Sequence, residues 1–200
     1  MLTVKILKRA LLALALLTVG QAIPAHAGGE DDLKVARIRQ DSPDSGYLFF
    51  DITIVIDGHP SCTALSAILI SDAKKIAIAK FEVYRPNPLF SWASFSRGTM
   101  VPLQPATWTI KAVTCASGNR EIDLNGAVVQ IRMDRSEIIN AGNLVLDVSV
   151  LKKGTFFTRP VVAGQAKIGE PSPDTVAAWR ARAPETYAAA KRRTFTIAHP

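Results

Sequence analysis

The sequence predicts a mainly β protein, an antiparallel β-sandwich of seven to nine strands with a short C-terminal helical appendage. Three observations carry that expectation. Apolar residues alternate with a period of two in five segments between residue 33 and about residue 165. Turn-forming Gly, Pro, Asn and Asp separate those segments, and helix-start signals appear only after residue 170. A composition of 48% hydrophobic and 20% charged residues, with twelve Gly and twelve Pro, excludes a collagen-like or wholly disordered chain.

The chain opens with the pattern of a secretory leader. Lys5, Lys8 and Arg9 form a basic start, Ala10 to Val19 an apolar run, and Ala25-His26-Ala27 a small-x-small cleavage site. Gly20, Gln21 and Pro24 interrupt the run before it reaches the ~20 residues of a membrane span. The expected organisation is a signal peptide over 1–27, a β-sandwich domain over 28–168 and a basic helical segment over 169–200. The expected location is the periplasm or the cell exterior. Removing the leader lowers the net charge from +7 to +4, because three of the 24 Lys and Arg leave with it. Residues 28–150 carry 12 basic and 14 acidic groups, whereas 151–200 carry 9 and 3. A weakly acidic body lacks the basic stripe that phosphate binding requires, so no nucleic-acid partner is expected.

The strands follow in order. Leu48, Phe50, Ile52, Ile54 and Ile56 share one side of an extended segment, with Asp51 and Thr53 on the other. Ala77, Ala79, Phe81 and Val83 alternate with Lys80 and Glu82, and Trp108, Ile110 and Ala112 with Thr107, Thr109 and Lys111. Ala127, Val129, Ile131 and Met133 alternate with Gln130 and Arg132, and Leu144, Leu146, Val148 and Val150 with Asn143, Asp147 and Ser149. Asn125-Gly126 predicts a tight type I′ hairpin, because both residues tolerate positive φ. Lys152-Lys153-Gly154 marks another turn, and Asp57-Gly58 and Arg85-Pro86-Asn87-Pro88 mark longer connections. Helices that could serve as parallel crossovers are not visible before residue 170.

Cys62 and Cys115 form an even pair, which in an oxidising compartment reads as a disulfide. Closing that loop contributes about 4 kcal/mol on the chain-entropy model. A redox role would need a close Cys-x-x-Cys, and a metal site more ligands than His59 and His199 supply. Parity with Thr109 and Lys111 puts Cys115 off the main core face or past the strand end.

Ser172-Pro173-Asp174 combines an N-cap hydroxyl, a first-position proline and a first-turn acid, so a helix starts there. Pro184 ends it and starts a second, with Glu185 in the first turn and Lys191, Arg192 and Arg193 in the last. Trp179 and Tyr187 are expected to cover an opening or edge of the sandwich.

Catalytic chemistry finds few parts. His59, in Asp57-Gly58-His59-Pro60-Ser61, is the one realistic base for a Ser-His-Asp hydrolase, and no Gly-x-Ser-x-Gly elbow accompanies it. Asp31-Asp32 sits at the frayed new N-terminus, and Asp41 and Asp44 lie in a plain turn composition without the oxygen-donor run of a Ca²⁺ loop. No catalytic residue, cofactor or metal is therefore assigned. The aromatic segment Leu89 to Phe95 either packs over the sandwich or stands exposed; exposed, Phe90, Trp92 and Phe95 form a partner-binding hot spot.

Leu103-Gln104-Pro105-Ala106-Thr107-Trp108-Thr109-Ile110 resembles the Leu-x-Pro-Gly-x-Tyr-x-Val turn and strand of prealbumin-like and carboxypeptidase-regulatory-like β-sandwich modules. Ala106 stands where those modules have Gly. The resemblance covers about eight residues and implies a noncatalytic scaffold, adhesion or assembly domain of the bacterial envelope. The expected function is a noncatalytic exported β-sandwich that interacts with an envelope protein or surface polymer. The alternatives are a small hydrolase centred on His59 and a chain that binds anionic membrane surfaces through Lys191, Arg192 and Arg193.

Overall fold

In the computed structural model, the described residues are 29–56, 64–84, 93–96, 98–115, 120–122, 124, 126–152 and 161–198. The leader, His59, Cys62, Phe90, Trp92 and His199 lie outside them.

Strand β1 (Gly46–Ile56) occupies the middle of the first sheet. Its sequence, GYLFFDITIVI, is almost continuously apolar, as expected of a strand covered on both faces. Leu48, Phe50, Ile52 and Ile54 enter the core between the sheets, and Tyr47, Phe49, Asp51 and Thr53 are buried on the opposite face. The other strands are β2 (Leu65–Ser71), β3 (Ile76–Phe81), β4 (Val83–Tyr84), β5 (Ala93–Ser96), β6 (Thr99–Leu103) and β7 (Ala106–Cys115). They are followed by β8 (Arg120–Ile122), β9 (Val128–Met133), β10 (Ile138–Lys152), β11 (Val161–Gly169), β12 (Lys191–Arg192) and β13 (Thr196–Ala198). One sheet has the order β11-β10-β1-β5-β4, with β6 also on β1 and β12 on β10; the other is β13-β9-β7-β2-β3, with β8 also on β7. This is the expected β-sandwich.

Four local expectations are corrected. First, β1 and β10 pair in parallel, with Ile52 opposite Leu144 and Ile54 opposite Leu146. No crossover helix is needed, because the chain between them travels through the second sheet and returns.

Second, residues 30–41 are not extended but form helix α1 (Glu30–Asp41). Three acids fill its first turn, and the Asp32 carboxylate accepts the Gly29 N–H at 3.1 Å.

Third, β8 and β9, which flank the Asn125-Gly126 signal, do not pair as a hairpin; Asn125 itself lies outside the described residues. Gly126 has the expected positive φ of 77°, but β8 and β9 both run antiparallel to β7, one beyond the other. Between these two partners of β7, Leu124 and Ala127 lie in the core, and the Ala127 N–H donates to the Leu124 carbonyl at 2.9 Å.

Fourth, Cys115 faces the core and is 2% exposed. Opposite β2, Ile68 meets Ala112 and Leu69 meets Ile110, so Lys111 is the extra residue of a β-bulge. The bulge reverses the parity of everything after it. Val113 and Cys115 join the core cluster, and Ala112 moves to the outer face beside Ile68.

The C-terminal segment holds α2 (Pro173–Arg182) and α3 (Pro184–Ala188). Ser172 caps α2 as expected, its hydroxyl accepting the Thr175 N–H at 3.0 Å. These helices and α1 lie over a face of the first sheet rather than an edge. Trp179 and Tyr187 meet Phe49 edge-on, with ring centroids 5.6 and 5.3 Å away, and Val35, Tyr47, Ile138 and Ala183 complete this second core. The chain then returns to strands, so Lys191 and Arg192 belong to β12 and not to a helix end.

Candidate functional site

The two outer surfaces of the sandwich are unlike each other, and the difference locates the candidate site. The helix-covered surface concentrates the buried polar groups Asp31, Asp32, Asp51, Thr53, Asn143, Thr175 and Thr186.

Asp51 points from β1 into the helical layer, where the Thr175 hydroxyl donates to its Oδ2 at 2.7 Å and Ile52 N–H to its Oδ1 at 2.7 Å. The Ser172 hydroxyl in turn donates to Thr175 Oγ1 at 3.0 Å. This Ser-Thr-Asp chain ties the start of α2 to the sheet. Beside it on the sheet, Asn143 donates to Thr53 Oγ1 at 3.0 Å.

Asp32 is also buried, contrary to a frayed N-terminus. Its Oδ1 accepts the Thr186 N–H at 2.9 Å and the Thr186 hydroxyl at 2.5 Å, and its Oδ2 accepts the Glu185 and Gly29 N–H groups, each at 3.1 Å. Burial alone would raise its pKa, but the donors from Thr186, Glu185 and Gly29 outweigh burial and hold the carboxyl below its ordinary range. Asp31 meets Arg182 at 2.9 Å. These groups latch α1 to the α2–α3 junction.

Between α1 and α3 lies a cleft of about 180 Å³, lined by Asp32, Val35, Arg39, Ile138, Glu185 and Thr186. The Arg39 guanidinium lies 5.7 Å from the Tyr47 ring centre, and its buried Nε has no acceptor. Ligand pockets start at roughly 300 Å³, so this cleft is small for a substrate. Its deepest carboxylate is already occupied by four donors.

The opposite surface, on the second sheet, is bare of helices among the described residues. On its β2–β3 hairpin, Ile68 stands opposite Ile78 and Ile70 opposite Ile76. All four side chains point away from the core, and Ile76 and Ile78 are 67% and 58% exposed. Strand β3 is an edge of its sheet. Two isoleucines this exposed, beside two more, form a contiguous apolar patch of the kind that marks an interaction site. Lys74, Lys75, Lys80 and Lys111 surround it and are exposed.

The sequence-derived residues are distributed as follows. Cys115 is buried at the end of β7, and there is no free cysteine among the described residues. Phe95 lies in β5, opposite Thr53, while Phe90 and Trp92, like His59 and Cys62, are outside the described residues. Arg192 contacts Glu170 at 2.7 Å, and Arg193 holds Glu137 with two hydrogen bonds of 2.8 and 2.6 Å. Both arginines are therefore structural anchors, and only Lys191 of the basic trio lacks an ion pair among the described residues. Sequence reasoning missed the isoleucine patch. Its signal was present, since Ile76 and Ile78 share the outward parity of Lys80 and Glu82.

In comparison with known proteins, the chain matches no protein-family model and no curated protein sequence.

Proposed function

We propose that the chain is an exported, noncatalytic β-sandwich that docks on an envelope component through the outer face of its second sheet. The observation that carries this reading is the four-isoleucine patch on the β2–β3 hairpin, with Ile76 and Ile78 exposed and no helix over it among the described residues, while three helices cover the first sheet. Support also comes from the polar groups of the helical layer. Asp51, Asp32 and Glu137 are each engaged by groups of the chain itself, and so act as fasteners of the scaffold. The leader pattern over 1–27 motivates the compartment, and that compartment motivates a Cys62–Cys115 disulfide.

The test is site-specific photo-crosslinking from position 68 in the native envelope, comparing the chain that keeps Ile76 and Ile78 with Ile76→Ser/Ile78→Ser, the probe being at position 68 in both. A discrete crosslinked species in the wild type that disappears in the variant supports docking through this face. An identical species in both, with folding verified by circular dichroism, overturns it.

A further inference from the structure

Resting on the reading of this face as a docking surface, we infer that its occupant is the surface of an anionic phospholipid bilayer. Apolarity and charge are arranged together here. The isoleucines lie in two directly opposed pairs, Ile68 with Ile78 and Ile70 with Ile76, so their side chains form one continuous sheet-borne surface. Cations stand around it. Lys74 and Lys75 lie in the connection between β2 and β3, Lys80 is on β3 opposite Ser66, and Lys111 is the bulge residue of the adjacent strand β7.

All four lysines are exposed, and none makes an ion pair among the described residues. Nearby acids are few. The Asp72 carboxylate is turned into its own connection, accepting Ala73 N–H at 2.8 Å and Thr107 N–H at 3.4 Å, and Glu82 lies beyond the patch at the end of β3.

This combination fits an anionic bilayer. Isoleucine side chains can enter the boundary between headgroups and acyl chains, where they lose water without needing a hydrogen-bond partner. Lysine stems lie along apolar surface while their ammonium groups reach outward to phosphates. A protein partner would instead need a matching acidic rim and a shaped apolar surface. Lys111, exposed on β7, stands next to Ala112, which lies opposite Ile68 on the same outer face.

The geometry favours this face over the C-terminal site expected from sequence. Arg192 and Arg193 are held by Glu170 and Glu137, whereas the lysines around the isoleucines have no such partners. On this inference the attraction to the bilayer comes from Lys74, Lys75, Lys80 and Lys111 rather than from the C-terminal cations.

Co-flotation of the full chain with phosphatidylglycerol-containing vesicles, against pure phosphatidylcholine, tests the inference. The wild type should float with the anionic vesicles and be released by high salt. Ile76→Ser/Ile78→Ser and, separately, Lys74→Gln/Lys80→Gln/Lys111→Gln should each weaken partitioning by about tenfold. Lys191→Gln should not. Absence of wild-type flotation, or undiminished flotation of both patch variants, overturns the bilayer assignment. If flotation is absent but the crosslink from position 68 still depends on Ile76 and Ile78, the docking face stands and its occupant is a protein. If both fail, the reading of the face fails with them.

Discussion

Replacing Asp32 by Asn probes how the helical layer is fastened to the sandwich. In the native chain one carboxylate oxygen serves Thr186 twice, and the other receives the Gly29 and Glu185 N–H groups. Asparagine can preserve only one of those oxygens. With its carbonyl toward Thr186, its NH₂ faces two N–H donors, and a buried donor left without an acceptor costs about 1–3 kcal/mol. The expected loss is about 3 kcal/mol at neutral pH, or a fall in Tm of about 6–12 °C for a chain of this size. Urea unfolding followed by tryptophan fluorescence measures it, since Trp179 lies in the same layer. The pH dependence supplies a second check. The folded carboxyl sits below its ordinary value of 3.8, so its stabilisation is complete above that pH and is lost as pH falls through the folded value. The gap between wild type and Asp32→Asn should therefore narrow below about pH 3.8. A neutral-pH difference under about 0.5 kcal/mol, or a gap unchanged through the acid range, would refute the reasoning.

Other consequences are equally direct. Deleting Lys111 should leave the protein folded, because the pairs Ile68–Ala112 and Leu69–Ile110 already bypass it, whereas deleting Thr109 should abolish cooperative melting by turning one side of β7 inside out. Gly98 has φ +68°, and a Cβ there would lie 2.4 Å from the Trp179 ring; Gly98→Ala should cost about 2–4 kcal/mol in chemical denaturation. Arg193→Ala leaves the Glu137 carboxylate without its two-pronged partner and should cost about 2 kcal/mol, and a double-mutant cycle with Glu137→Gln should recover a coupling of at least about 1 kcal/mol. Intact-mass measurement with and without reductant should show a two-proton difference if Cys62 and Cys115 are bridged, and no difference would remove the disulfide.

Alternation along the chain made the sandwich legible because most strands bury one side only. It read Leu48, Phe50, Ile52 and Ile54 correctly on the inner side but understated β1, whose Tyr47 and Phe49 were equally informative about a second buried face. The bulge at Lys111 was not legible. Nothing local distinguishes a bulge residue from a regular one, since the shift is defined only by the partner strand. Helix α1 escaped for a different reason: of its apolar residues only Val35 is buried, so its apolar stripe is faint, and its hold on the structure comes from Asp31 and Asp32. The basic end looked helical because Ala188, Ala189 and Ala190 favour helix. The tertiary contacts decide otherwise: Arg193 N–H donates to the Asn140 carbonyl at 3.2 Å, and β12 joins β10.

The last strands also bear on the order in which this chain can fold. β12 adds to β10 in one sheet, and β13, only a few residues later, adds to β9 in the other. The parallel pairing of Tyr47 with Ile138 likewise waits for residues far downstream. Such separations raise contact order and slow folding, because loop-closure entropy is spent before the contacts form. A chain whose β12 and β13 complete one strand in each sheet finishes both sheets only when its tail is available. That timing suits the proposed export, in which the polypeptide would cross a membrane before it closes.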